Sequence, residues 1–322
     1  MRDLIEKITR KSRKISDIFI LAAVISFLLA LLGQIIGLAL GRAVPIKDAL
    51  VLLMGNEDAA AFALEYFLFI GMWIVILAVI VAFPANRKML KALAYNRKGN
   101  SVKALIFGAF LGFAANGICV LASVLAGDIV LSFNAFDFRC ILVFIIVIFV
   151  QSGAEELVDR LYLYQKLRRR YKWPAVAIVG NAVIFTAMHA GNPGFSILGA
   201  GQIFIVAIIF SMLVYYYGAL WMAMAFHMGW NFTQSIIFGL PNSGIVSAYS
   251  IFNLDAASAR DGLFYSVNFG VEGSIGACLV LALVGIAIYL KSRGRSEEND
   301  IWAEDASDYE PIGKHAAPRP AL

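Results

Sequence analysis

Apolar runs long enough to cross a bilayer recur along this chain, separated by short polar segments. A helical crossing takes about 20 residues. Eight stretches approach or exceed that length: 17–41, 60–83, 103–126, 138–166, 174–190, 195–215, 217–239 and 273–291. The fifth is the shortest. The sixth and seventh are separated only by YYYGAL, which predicts a tight turn. The pattern predicts an all-α polytopic membrane protein, a bundle of about eight transmembrane helices, with no internal repeat. Three parts are expected: a basic N-terminus over 1–16, a membrane domain over 17–291 and a disordered tail over 292–322.

Composition agrees with this reading. Apolar residues make up 61% of the chain and charged ones 15%, and mean hydropathy is +0.78. A soluble domain is about half apolar and a quarter charged. The three cysteines, Cys119, Cys140 and Cys278, lack CxxC spacing, so they indicate neither a disulfide framework nor a zinc knuckle.

Charge then sets the expected orientation. With the N-terminus placed in the cytoplasm, 23 of the 27 basic residues fall inside, and Arg42, Lys47, Arg139 and Arg260 fall outside. Basic residues mark the cytoplasmic loops, so both termini are expected there. The net charge of +5 follows this topological pattern: the basic N-terminus reads as a topology signal, with anionic lipid headgroups as its alternative partner, and membrane lipids, not nucleic acid, are the expected surroundings. The first apolar run is longer than the core of a secretory signal and reads as a retained span. A bacterial plasma membrane is the expected location. The 240–272 loop is long and faces outward, either covering the bundle or moving freely, and the acidic, then Pro/Ala-rich end reads as a solvated tail.

The informative residues are the polar ones inside apolar runs. An ionisable group in a span is costly and marks function by default. FVQSGAEELVDRLYLY places Glu155, Glu156, Asp159 and Arg160 in one run. Glu156 and Arg160 are four apart, with the glutamate first, the favoured order for a helical ion pair. Arg160 also lies near enough to the expected cytoplasmic end to snorkel. Glu155 points about 100° away from Glu156, and its own i+4 neighbour is the like-charged Asp159. It is the carboxylate without a countercharge and the candidate general base.

Two of the three histidines, His189 and His227, also fall in predicted spans, and His315 lies in the tail. Phe185 and His189 share a helical face just before a Gly/Asn/Pro break. His227 and Asn231 share another. Taken separately, each pair also reads as interfacial packing or interhelical hydrogen bonding. Depth favours convergence. At about 1.5 Å per residue from the cytoplasmic helix ends, Glu155, His189, His227 and Asn231 lie about 16, 24, 14 and 20 Å deep, all near mid-bilayer.

Taken in order, EExxxR (Glu155, Glu156, Arg160), FxxxH (Phe185, His189) and HxxxN (His227, Asn231) resemble the motifs of the CPBP family. These are the ABI-like, CAAX-protease and bacteriocin-processing intramembrane glutamic endopeptidases, including the type II CAAX prenyl endopeptidases. The resemblance covers roughly 138–239. It implies peptide-bond hydrolysis without a cofactor: Glu155 with His189 activates water, His227 and Asn231 form an oxyanion hole, and Glu156, Arg160 and Phe185 support the site. It also implies a membrane-anchored protein or peptide as partner, with prenylated substrates in the family's range.

Three other readings use the same residues. Two histidines and a glutamate are a possible zinc set, but no HExxH is present. Buried Glu and His also serve proton-coupled transporters, which carry inverted repeats. A catalytically silent relative would act as a membrane scaffold or chaperone. The residues indicate neither the substrate nor the oligomeric state.

Overall fold

The computed structural model describes residues 9, 14–97, 99–293 and 299–303. Of the expected tail over 292–322, residues 294–298 and 304–322 with His315 lie outside the described residues, as does nearly all of the basic N-terminus.

The chain is an all-α bundle. Helix α1 (Phe19–Ala43) is followed by a short α2 (Ile46–Met54), which the apolar pattern did not separate from the loop. The second span is one apolar unit broken after Phe67 into α3 (Glu57–Phe67) and α4 (Ile70–Ala82). Next come α5 (Val102–Leu125) and α6 (Phe138–Glu156). Helix α6 widens into a π-helical stretch over Leu157–Leu163 and ends in α7 (Tyr164–Arg170). Then follow α8 (Pro174–Met188), α9 (Ile197–Tyr217), α10 (Leu220–Phe232) with a second π-helical stretch over Thr233–Ile237, and α11 (Ile275–Ser292).

Among the described residues six helices are long and apolar enough to cross a membrane. Of the expected eight, the fifth is the 15-residue α8, and the seventh is the α10 pair, whose regular part has 13 residues. The protein is a multi-pass integral membrane protein in which these two segments are short.

Helix starts follow local chemistry. Asn56, Ser101, Asp137, Ser196 and Ser274 each accept a backbone N–H of the turn they open, meeting donors that a helix end leaves unpaired. The expected tight turn between α9 and α10 is made by Gly218 at φ +59°.

Helices α5 and α10 touch backbone to backbone. A methyl at Gly112 would overlap the Phe226 carbonyl and stand 2.7 Å from the Trp230 amide nitrogen. One at Gly229 would overlap the Ala109 carbonyl. Small residues permit such approach between membrane helices. The contact matters because α10 carries His227 and Asn231.

The outer loop is tied down. Strand β1 (Leu131–Phe133) pairs antiparallel with β2 (Phe252–Leu254), Leu131 opposite Leu254. At the other end of the bundle Asp17 accepts both Nε and Nη2 of Arg169, at 2.6 and 2.7 Å, and lies 3.3 Å from Lys166. Burial works against ionising Asp17, but the bonds from Arg169 and the charge of Lys166 outweigh it and hold its carboxyl below the usual range. Residues 299–303 dock on the same end instead of extending as a free tail. Trp302 is buried and donates to Gln165, and Asp300 pairs with Arg168.

Replacing Gly112 with alanine is expected to destabilise the folded protein by roughly 1–3 kcal/mol, the range for overpacking. Gly117, on the same helix with nothing within 4 Å of its would-be methyl, is the neutral control. Unfolding of both variants in detergent checks this. Equal stability would show that the contact can relax.

Candidate active site

Helix α6 and the π-helical stretch that continues it deliver Gln151, Glu155 and Asp159 at successive four-residue steps. The π-helical stretch begins right after Glu156, and the second begins one residue after Phe232, just past Asn231. π-Segments inside helices occur often at functional sites, and here both follow motif residues directly. A cavity of about 340 Å³ opens where α3, α6, α8, α10 and the outer loop meet. Glu155, His189, His227 and Asn231 all line it, with Phe185, Asp159, Gln151, Glu65 and Tyr66.

The expected ion pair is present. Arg160 Nη1 lies 3.2 Å from Glu156 Oε1, with both side chains fully buried. Arg160 Nη2 donates to the Ala207 carbonyl at 3.1 Å. The guanidinium carbon sits 4.5 Å from the Phe185 ring centre and 5.3 Å from that of Phe210, a desolvated cation–π arrangement. Arg160 therefore does not snorkel: its partners hold it inside the bundle. Phe185 acquires a specific role as one of the two faces that hold the cation.

Glu156 has a second partner that the spacing did not reveal. His227 Nδ1 lies 3.1 Å from Glu156 Oε1, and the other ring nitrogen lies 3.7 Å from Glu155 Oε2. The ring stacks on Phe210 at 5.4 Å. A carboxylate only accepts, so the Nδ1 hydrogen goes to Glu156 and leaves Nε2 facing Glu155. Arg160, Glu156, His227 and Glu155 form one connected line of charge and hydrogen bonding.

Glu155 lacks a countercharge on its own helix, but it does have a partner. Gln151, one turn earlier, donates Nε2 to Glu155 Oε1 at 2.6 Å. Oε2 is buried with no hydrogen-bond partner. Glu156 Oε2 is also without one, so access distinguishes the two acids. The Glu155 side chain is 19% exposed and borders the cavity, whereas that of Glu156 is 0% exposed.

Amides continue the network. Asn231 Nδ2 donates to Gln151 Oε1 at 3.2 Å, and Asn242 Nδ2 donates to Asn231 Oδ1 at 3.1 Å. An amide nitrogen carries two hydrogens, so Asn231 keeps a second donor. His189 closes α8, and its Nδ1 lies 2.8 Å from the Phe185 carbonyl. A carbonyl cannot donate, so in the neutral ring Nδ1 carries the hydrogen and Nε2 the lone pair. Among the described residues no group of three His, Cys, Asp or Glu side chains has metal-holding geometry.

Several residues here escaped the sequence reading. Gln151 left a usable signal, being polar and one turn before Glu155 in an apolar run. Asn242, Ser243 and Glu272 left none, because the outer loop brings them in. That loop covers the bundle: Asn242, Ser243 and Ile245 line the cavity. It is held by Glu272, whose carboxylate accepts the Ser243 amide at 2.6 Å and the Trp230 indole N–H at 3.2 Å. Burial outweighs these bonds and lifts the Glu272 carboxyl from 4.5 to about 7.

A carboxyl raised on folding is easier to protonate in the folded state, so its contribution is greatest at low pH and fades as pH rises. Between pH 4.5 and about 7 the protein is expected to lose up to about 3 kcal/mol of stability through this group. Glu272→Gln should remove that component. Unfolding of wild type and variant across the range checks it, and parallel curves would count against it.

Residues 137–233 match the family model described as type II CAAX prenyl endopeptidase Rce1-like. No curated protein and no solved structure matches the chain. The matched segment begins at the residue that caps α6 and ends just after α10. It contains Glu155, Glu156, Arg160, His189, His227 and Asn231, selected by their polarity in apolar runs, and Phe185, selected by its spacing from His189. Through this segment the chain is similar to the CAAX-type membrane proteases of the type II CAAX prenyl endopeptidase Rce1-like family.

Proposed function

We propose that the chain is an intramembrane glutamic endopeptidase in which Glu155 activates water against a peptide bond of a membrane-anchored protein or peptide, without a metal or other cofactor. The observation that carries this reading is the cavity: Glu155, His189, His227 and Asn231 all border the same 340 Å³ inside an apolar bundle.

The residues divide the work by their chemistry. Glu155 takes a proton from water as the oxygen attacks the scissile carbonyl carbon. His189, with its Nε2 lone pair, is a second acceptor on the cavity wall. The carbonyl oxygen gains negative charge and is met by His227 and the second N–H of Asn231. Preorganised donors of this kind act strongly where bulk water is excluded. The proton held by Glu155 then passes to the leaving amine as the C–N bond breaks. Glu156 and Arg160 are positioning residues, since they fix the His227 ring and do not border the cavity.

A substrate that reaches a cavity in a bundle arrives most readily with an apolar or lipidated anchor, and prenylated chains are the class the family name points to. Both termini on the cytoplasmic side, in a bacterial plasma membrane, complete the proposal; the 23-to-4 split of basic residues supports the orientation.

The test is cleavage of prenylated and unprenylated membrane-anchored peptides by the purified protein, with and without chelator. Glu155→Gln is expected to lower kcat about 10²–10⁴-fold, the usual contribution of a general base. Asn231→Ala is expected to lower it about 10²–10³-fold. Wild-type cleavage should survive the chelator. Full activity in Glu155→Gln would refute the assignment. Chelator-sensitive cleavage would move Glu155, His189 and His227 into a metal site.

A further inference from the structure

The basic end of the bundle holds a second cavity, separate from the site above. It measures about 440 Å³ and lies between the start of α5 and the end of α11, floored by α9 and the first turn of α10. Phe107, Leu213, Met222 and Ile288 make its walls apolar, while Arg97, Lys103 and Lys291 line its mouth. No acidic side chain lines it.

The three cations differ from the buried basic residues at this end. Lys166 and Arg169 are buried against Asp17, and Arg168 against Asp300. Arg97, Lys103 and Lys291 are exposed and have no ion-pair partner among the described residues. A topology signal alone explains their sign. It does not explain why three of them surround one apolar groove that runs from Lys103 to Leu111, about 12 Å along the helix axis at 1.5 Å per residue.

A groove apolar along its length and cationic at the interfacial end complements one kind of molecule abundant in the surrounding bilayer. Its tail is a hydrocarbon chain and its head an anionic phosphodiester. Basic pockets between membrane helices hold such headgroups. We infer that this groove binds an anionic glycerophospholipid, with its phosphate against Lys103, Arg97 and Lys291 and one acyl chain along Phe107 and Ile288. The inference is independent of the protease reading.

The test is native mass spectrometry of the delipidated full chain in detergent. It is titrated with phosphatidylglycerol or phosphatidylcholine of identical acyl chains, and in separate arms with glycerol phosphate and with diacylglycerol. Phosphatidylglycerol is expected to bind more tightly than phosphatidylcholine, and glycerol phosphate and diacylglycerol more weakly than either. Removing Arg97, Lys103 or Lys291 by alanine should weaken phosphatidylglycerol about fivefold for each cation, and phosphatidylcholine, whose choline offsets its phosphate, by less. Ala287→Trp, at an exposed position lining the groove, should weaken both phospholipids by filling it. Equal retention of the two phospholipids with silent cation variants would overturn the inference. So would intact binding in Ala287→Trp, which would place the lipid elsewhere. Competition by glycerol phosphate at the same concentration as the lipid would also overturn it, since that would mark an anion site with no use for the groove.

Discussion

A full positive charge buried in an apolar bundle governs the arrangement around it. Arg160 has no exposed surface, and an unpaired buried ion is among the costliest features a fold can carry. Its neutralisation recruits three neighbouring helices besides its own. Glu156 comes from its own helix, the Ala207 carbonyl and Phe210 from α9, and Phe185 from α8. His227 from α10 joins through the same Glu156 oxygen. Any shift of one helix would strand a charge. The cluster therefore fixes how four segments meet, and with them the geometry of the adjoining cavity. Its direct contribution to stability is modest, because desolvation offsets much of the attraction. The large effect is the cost of breaking it.

Close backbone packing makes that cluster possible. Charge pairing is effective over a few ångströms, so α10 has to be held at a definite height and rotation. Gly112 and Gly229 provide this by allowing α5 and α10 to meet without intervening side chains. Trp230, one residue past Gly229, then points its indole N–H at Glu272, so the same helix also anchors the outer loop. One face of α10 is set by glycine contacts, another by the charged line, and its outer end by the loop carboxylate.

How much of this is legible in the sequence follows from where each partner comes from. The spans were readable because the bilayer demands long apolar runs, and α8 and α10 fell short of full crossings because polar residues interrupt their patterns near His189 and Asn231. The Glu156–Arg160 pair was readable because both groups lie on one helix with i, i+4 spacing. Placing Glu155, His189, His227 and Asn231 on one cavity required only helix rise and a common starting plane. The remaining links cross between helices. That His227 binds Glu156 depends on how α6 and α10 are rotated, which no spacing encodes. The path from Asn242 to Asn231 to Gln151 to Glu155 depends on a loop whose course is set by the β1–β2 pairing and by Glu272. The π-helical widening after Glu156 was equally invisible, because it reflects what the helix packs against.

Two adjacent glutamates with different duties follow from helix geometry alone. Consecutive residues point about 100° apart, so when Glu156 faces Arg160 in the packed interior, Glu155 must face elsewhere. The cavity lies on that side. One residue is thus committed to holding the imidazole, and its neighbour is left accessible against the same imidazole's far nitrogen. His227 is bracketed by both acids, 3.1 Å from one and 3.7 Å from the other. When both acids are ionised, each ring nitrogen faces an attracting carboxylate oxygen. Once Glu155 carries a proton, that attraction at Nε2 is lost and the N–H is free to turn toward a neighbouring oxygen. In the proposed reaction, taking up a proton at Glu155 and supplying a donor at His227 would therefore be coupled through a single contact.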